Sequence, residues 1–134
     1  MADNRGLLAM DESMGTCAKR FARLGIPQTE EMRRAYRELI VTTPGLGESI
    51  SGAILFDETV HQQTKAGIPF LQVLEKGGII PGIKVDAGAV EMPAHSGEKI
   101  TEGLDGLRKR LADYAKKGLR FAKWRAVITI GEGI

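Results

Sequence analysis

The stretch PFLQVLEKGGIIPGIKV, residues 69–85, decides the fold because it joins a helix pattern to a strand pattern. Pro69 suits the first turn of a helix and Gly77 suits its end. The apolar run GIKV at 82–85 then predicts a strand, and GAILF at 52–56 predicts another strand before the helix. A strand, a helix and a strand in this order form a parallel pair joined by a right-handed crossover.

The same alternation continues on both sides of this stretch. GLLAM at 6–10 predicts the first strand, and FAKWRAVITI at 121–130 reads as a fourth strand that is buried on both faces. Helix patterns occupy residues 29–43 and 103–118. The resulting order predicts an α/β domain whose parallel strands are neighbours in chain order.

Two of the helices carry apolar side chains at helical spacing. Thr29 is placed to cap the first, and Gly118 terminates the second after Lys116 and Lys117. We predict that the buried faces consist of Met32, Tyr36, Leu39 and Ile40 in the first helix, and of Leu104, Leu107, Leu111, Tyr114 and Ala115 in the second.

The composition limits the class of protein. The 134 residues are 43% hydrophobic, with 19 basic and 17 acidic side chains and a net charge of +2. These values predict one globular domain over 1–134 with no internal boundary, and the small net charge argues against a nucleic-acid partner. No apolar run is long enough to span a bilayer, and the first residues lack the pattern of a signal peptide. We therefore expect a cytoplasmic protein that has neither a membrane nor a nucleic acid as its partner.

The cysteine and histidine content bears on metal and redox chemistry. Cys17 is the only cysteine, which excludes an internal disulfide and suits a reducing cytoplasm, and we expect it to be a small buried apolar residue. His61 and His95 are far apart in the sequence and are expected at the surface. This content predicts chemistry with no metal ion, and no other cofactor is expected.

Charged residues interrupt or follow strands that should be apolar. Asp11 follows the first strand directly, Lys84 and Asp86 share one face of the third, and Lys123 and Arg125 share one face of the fourth. Parallel strands present their carboxyl ends on one side, so we expect Asp11, Lys84 and Lys123 to converge there. Cations beside a carboxylate suit the binding of a phosphorylated substrate and acid–base work on it.

Structural roles compete with this interpretation. Asp11 taken alone is more readily a helix N-cap, and Ser13 and Thr16 are as readily capping residues as ligand-binding ones. Asp86 can simply pair with Lys84, and a lysine inside a half-buried strand can be solvated at the strand end. Only the coincidence of charged groups at several strand ends favours a functional site over these alternatives.

Four segments, in order and spacing, resemble class I fructose-1,6-bisphosphate aldolase, the Schiff-base type. They are LLAMDESMGT, ISGAILFDET, GIIPGIKVDAG and TEGLDGLRKRLADYAKKGLRFAKWRAV, and the resemblance covers residues 6–131. Members of this family are (β/α)8 barrels, so 134 residues would supply the first half, with about four β/α units. The resemblance implies reversible cleavage of fructose 1,6-bisphosphate to dihydroxyacetone phosphate and glyceraldehyde 3-phosphate in glycolysis and gluconeogenesis, without a cofactor.

The resemblance also implies roles for individual residues. Asp11, in MDES, matches an aspartate that assists proton transfer and carbinolamine chemistry. Lys123, in AKWR, matches a lysine that assists imine formation and carbon–carbon cleavage. The substrate-binding residues that it implies, near the distal phosphate of the sugar, are Ser13, Thr16, Lys84 and Arg125.

The sequence departs from the family in several places. Met14 stands where the family usually has a small polar residue, and MADNR at 1–5 leads into the first strand without the usual N-terminal helix. The family's imine-forming lysine, its pair of catalytic glutamates and its second phosphate site lie C-terminal of KWRAV, beyond Ile134. We therefore expect a fragment of an aldolase or a truncated or engineered half-barrel.

Two hypotheses about function follow. The first is a fructose-bisphosphate aldolase represented in part, in which case the 134-residue chain alone is inactive. The second is a non-catalytic half-barrel that binds a sugar phosphate or self-associates, because an open four-stranded sheet exposes its edges and an apolar face. The expected partners are thus a small sugar phosphate and further copies of the chain.

Overall fold

The computed structural model describes residues 4–131. In chain order its elements are β1 Gly6–Met10, α1 Met14–Arg23, α2 Glu30–Val41, α3 Leu46–Ser49, β2 Ile50–Leu55, α4 Asp57–Val60, α5 Phe70–Lys76, β3 Ile80–Lys84, β4 Gly88–Glu91, β5 Lys99–Glu102, α6 Leu107–Lys116 and β6 Phe121–Lys123.

A four-stranded parallel sheet organises the chain. Its strand order is β1-β2-β3-β6, and each adjacent pair is parallel, which confirms the predicted arrangement. In the register, Met10 pairs with Leu55, Leu55 with Ile83, and Ile83 with Ala122. The carboxyl ends of all four strands therefore lie at one edge of the sheet.

The hydrophobic core lies between this sheet and the helices. Met10, Leu55 and Ile83 contribute one row of side chains, each at most 1% exposed. Phe70 and Leu74 of α5 pack against them and are fully buried. Burial on this scale fixes the sheet to its crossover helices, because each large apolar side chain contributes roughly 1.5–3 kcal/mol.

The predicted helix faces are only partly correct. Thr29 caps α2 by accepting a hydrogen bond from the Met32 amide, as predicted. Leu39 is 71% exposed, however, and α2 buries Arg37 and Val41 instead. The hydrophobic pattern could not reveal this face, because it treats arginine as a surface residue. Arginine is buried only where a partner such as a carboxylate is present, and the pattern of the helix does not show that partner.

In α6 the buried side chain is Tyr114. Leu104 lies before the helix and is 71% exposed, Leu111 is 38% exposed, and Ala115 is exposed. The predicted stripe was therefore wrong at these three positions. Leu107 is half-buried and packs against the core, as predicted, and the loop residue Leu119 adds a further contact.

The fourth strand is shorter than predicted. It ends at Lys123, and Ile128 and Ile130 are 78% and 91% exposed, so the prediction of a buried strand over 121–130 was wrong. β6 lies at the edge of the sheet that residues 4–131 form, so its far side has no strand to continue the ladder. The β-branched residues after Lys123 do not form a strand by themselves, because they have no neighbouring strand to pair with in this part of the chain.

A short β-hairpin follows the third strand and was not predicted. β4 and β5 pair antiparallel, from Gly88 opposite Glu102 to Glu91 opposite Lys99. Four-residue strands with charged ends give too weak an alternation to be read from sequence. None of the helices within 4–131 is both long and apolar enough to cross a membrane.

Candidate functional site

Three charged residues converge at the carboxyl edge of the sheet, as predicted. Asp11 follows the last residue of β1, and Lys84 and Lys123 pair across β3 and β6. Asp11 and Lys84 each follow a buried residue, Met10 and Ile83, so alternation turns their side chains away from the helix layer. Lys123 Nζ donates a hydrogen bond to Asp11 Oδ2 at 2.7 Å.

The Asp86 carboxylate binds the side chain of Lys84 and the backbone of Arg125 at this edge. Its side chain is 0% exposed, and its carboxylate accepts from Lys84 Nζ at 2.6 Å and from the Arg125 amide at 3.1 Å. Burial alone would raise the pKa of Asp86, but these two hydrogen bonds lower it below the usual value. The pairing of Asp86 with Lys84, which the sequence offered as a structural alternative, is present, and the link to Arg125 is additional.

Ser13 and Thr16 form the start of α1. Ser13 is the N-cap, its Oγ accepts from the Thr16 amide at 3.3 Å, and the two hydroxyl oxygens are 3.2 Å apart. Capping, the role that the sequence favoured for Asp11 taken alone, therefore belongs to Ser13, for which it had been one of two open roles. Both hydroxyls remain at an exposed helix start, where amide groups favour an anion.

All of these groups face one cleft of about 400 Å³. It is lined by each residue that the sequence singled out, namely Asp11, Ser13, Thr16, Lys84, Lys123 and Arg125, together with Asp86, Glu12 and Arg20. The four cations outnumber the three carboxylates, so the cleft suits an anion that is held next to groups able to move a proton.

Sequence reasoning missed Glu12 and Arg20. The Glu12 carboxylate accepts from Arg20 Nη1 at 2.5 Å and from the buried Arg37. Burial on its own would raise the pKa of Glu12, but the hydrogen bonds from Arg37 and Arg20 lower it. Arg20 stands four positions after Thr16, on the same face of α1, and this spacing was the signal that could have identified it.

The remaining candidates behave as structural residues. His61 and His95 are exposed and Cys17 is buried, as expected, and burial raises the pKa of the Cys17 thiol. Within residues 4–131 no three His, Cys, Asp or Glu side chains are grouped so that they could hold a metal ion.

Comparison with known proteins gives a consistent result. The family model described as fructose-bisphosphate aldolase class-I matches residues 1–134. A protein of Xylella fastidiosa (strain Temecula1), named probable fructose-bisphosphate aldolase class 1, is 61% identical over the whole chain, which covers 40% of that protein. A chloroplastic fructose-bisphosphate aldolase 1 of Chlamydomonas reinhardtii is 57% identical over 96% of the chain and 34% of its own length.

A solved structure has the same fold. It is fructose-bisphosphate aldolase from Plasmodium falciparum, in complex with TRAP and a small-molecule inhibitor, and it superposes with a TM-score of 0.92 and 51% identity. The match covers 96% of this chain and 37% of that one. The chain thus spans about 40% of the length of the Xylella relative, and it folds as the matching part of the Plasmodium aldolase does.

Proposed function

The chain belongs to the class I fructose-bisphosphate aldolase family, and on this premise we propose that its protein reversibly cleaves fructose 1,6-bisphosphate into dihydroxyacetone phosphate and glyceraldehyde 3-phosphate. The chain would contribute the first four β/α units of a (β/α)8 barrel. The imine-forming lysine, the catalytic glutamates and the second phosphate site would come from the rest of the polypeptide.

The observation that carries this proposal is the ion pair between Lys123 and Asp11 inside the cationic cleft. Their 2.7 Å hydrogen bond joins a proton donor to a proton acceptor on two strand ends of the same rigid sheet. Asp11 would move protons during carbinolamine formation and breakdown. Lys123 would assist imine formation and stabilise the negative charge that develops as the carbon–carbon bond breaks.

The substrate phosphate would lie over the start of α1. Ser13 and Thr16 present hydroxyl groups there, and Lys84 and Arg125 line the same cleft. Charge-assisted hydrogen bonds from such groups favour a dianionic phosphate over neutral sugars. Because the Asp11–Lys123 pair lines the same cleft, a substrate held there by its phosphate would present its reacting carbons to that pair.

Turnover by the whole protein that carries this chain tests the proposal. We expect cleavage of fructose 1,6-bisphosphate, and a loss of about 10²–10⁴ in kcat for Lys123→Met, the usual effect of removing a group that acts on proton transfer. Lys99→Met is the matched control, because Lys99 pairs with Glu91 on the hairpin outside the cleft. Absence of cleavage would overturn the proposed activity. Equal activity of the two variants would overturn the role proposed for Lys123.

A second candidate function is a half-barrel that only binds sugar phosphate or self-associates. The observation in its favour is the exposed apolar face of the sheet, where Leu7 and Ile80 are 48% and 51% exposed. Sedimentation of the 134-residue chain alone distinguishes the two. The half-barrel is supported if the chain forms a discrete dimer that binds phosphate and if the whole protein shows no cleavage of the bisphosphate.

We place the protein in the cytoplasm. A relative from Cicer arietinum, 53% identical over 127 residues, is named a cytoplasmic isozyme, whereas relatives from Chlamydomonas and spinach are chloroplastic. Fractionation of the source cells tests this location.

A further inference from the structure

Arg37 is a buried cation behind the cleft. It lies on α2 and is 2% exposed, yet its guanidinium reaches the segment that carries Asp11 and Ser13. We propose that Arg37 is a positioning residue that fixes this segment, so that Asp11 and Ser13 meet the substrate in the same geometry in every turnover. The inference rests on the proposed function, which it extends to a residue outside the cleft lining.

The contacts of Arg37 account for such a role. Nη2 donates to the Glu12 carbonyl oxygen at 2.7 Å and contacts Cys17 Sγ at 3.5 Å, and Nη1 donates to Glu12 Oε2. One planar group therefore binds the backbone and the side chain of the same residue, as well as α1. A bidentate guanidinium fixes orientation as well as distance.

Glu12 transmits this constraint to the cleft, because it stands between Asp11 and Ser13. A hydrogen bond to its carbonyl oxygen limits rotation of the peptide that follows it, and so limits the position of the Ser13 hydroxyl. On the other side, Asp11 must keep its 2.7 Å contact with Lys123. The Glu12 carboxylate is also shared with Arg20, which is 54% exposed and lines the cleft.

The burial of an ion pair at this point requires a reason beyond stability. Desolvation of two charges commonly offsets their attraction, and apolar residues of the same volume are often as stabilising. Arg37 is therefore better explained by what it orients than by what it adds to the core. Arg33 lies on the same helix and is a suitable control. Its guanidinium binds Glu58 at 2.6 and 2.8 Å, and neither residue lines the cleft.

The test compares Arg37→Ala with Arg33→Ala in the whole protein. We expect Arg37→Ala to lower kcat/KM by about 10- to 100-fold, as small misplacements of reacting groups do. Arg33→Ala removes a partly buried ion pair from the same helix, but Arg33 hydrogen-bonds to no residue of the cleft, so we expect it to lower kcat/KM less than about threefold. Added guanidinium ion should restore activity to Arg37→Ala only, since it can occupy the vacated site.

Arg37→Lys separates charge from geometry. A lysine keeps the positive charge but cannot bind the carbonyl and the carboxylate of Glu12 together, so we expect it to remain well below the unsubstituted protein. If both Arg37 variants match Arg33→Ala in kcat/KM, Arg37 is only structural and the inference is wrong. If Arg37→Ala does not fold, the lysine variant decides the point.

Titration with inorganic phosphate keeps this inference distinct from the proposed function. Calorimetry needs no turnover, and Ser13 is expected to contact phosphate whatever reaction the protein performs. We expect weaker phosphate binding by at least about fivefold in Arg37→Lys but unchanged binding in Arg33→Ala. A protein that fails to cleave the bisphosphate but shows this difference refutes the function and supports the positioning role; equal phosphate affinities refute the positioning role.

Discussion

Lys123 and Asp11 are 112 positions apart in the chain, yet Lys123 Nζ lies 2.7 Å from Asp11 Oδ2. The contact spans the sheet from its first strand to its last, although β1 and β6 are not paired with each other. Such a contact requires the sheet to curve toward the face that carries both side chains. The geometry is that of strands closing around a central cleft, as in a β/α barrel.

The Asp11 carboxylate can be tested by a neutral isostere. In the whole protein we expect Asp11→Asn to lower kcat by about 10²–10⁴, because an amide cannot accept and return a proton. Asp105→Asn is the control, since Asp105 is exposed and outside this cleft. Steady-state kinetics with unchanged thermal unfolding identifies a chemical role, whereas a kcat within twofold of the unsubstituted protein would remove Asp11 from the mechanism.

Lys84 should contribute to ligand affinity. We expect Lys84→Ala to weaken sugar-phosphate binding by about 1.5–3 kcal/mol, the typical worth of a charge-assisted hydrogen bond. Its loss would also leave the buried Asp86 carboxylate without its 2.6 Å partner. Calorimetry with fructose 1,6-bisphosphate checks the effect, with Lys99→Ala as the control. Equal affinities of the two variants would exclude Lys84 from the binding site.

Much of this site follows from the sequence, for a specific reason. Asp11, Lys84 and Lys123 stand directly at strand ends, and parallel topology forces strand ends together without any knowledge of side-chain detail. Arg37 could not be found this way. It lies within a helix that reads as ordinary, and its role depends on a loop that is 25 positions away in the chain.

The hairpin and the short fourth strand were missed because both depend on neighbours rather than on local pattern. Residues 124–130 have strand-forming composition but no partner strand within the described part of the chain. The hairpin is held by tertiary contacts that no alternation reveals. Arg110 binds the carbonyl oxygens of Val85 and Gly103, and the Ala87 amide donates to the Glu102 carbonyl at 2.8 Å.

The phenol of Tyr114 should lose its proton only at a pH well above that of an ordinary tyrosine. Burial and the 2.8 Å hydrogen bond that it donates to Asp57 raise the pKa of Tyr114 to about 12. A raised folded-state pKa means that this group stabilises the fold fully below the ordinary value of about 10 and loses that contribution as pH rises through 12. Tyr114→Phe should therefore remove the late tyrosinate absorbance and flatten the fall in stability between pH 10 and 12.

Tyr36→Phe provides the comparison for that titration. It should leave the late absorbance component in place, since this component is assigned to Tyr114. A late component that survives in Tyr114→Phe would show that the phenol is not shielded as the structure places it.

Gly82 should be intolerant of any side chain. A Cβ at this position would lie 2.3 Å from the Phe121 ring, across the β3–β6 pair. We expect Gly82→Ala to lower the free energy of unfolding by about 1–3 kcal/mol, the usual cost of overpacking. Gly15→Ala is the control, because a Cβ there meets nothing within 4 Å and alanine favours the helix. Denaturant unfolding checks both; equal stabilities would mean that the two strands separate at little cost.

The 134-residue chain, expressed alone, should cleave no fructose 1,6-bisphosphate. It spans 40% of the Xylella relative, and the family resemblance places the imine-forming lysine in the remainder. Borohydride reduction with dihydroxyacetone phosphate should therefore leave no adduct on the short chain, while the whole protein is trapped. Lys123 is the nearest substitute amine, but its side chain is 33% exposed and its Nζ is already bound to Asp11 Oδ2 at 2.7 Å. Mass spectrometry decides the point, since a reduced adduct on Lys123 would make it a nucleophile rather than an assistant.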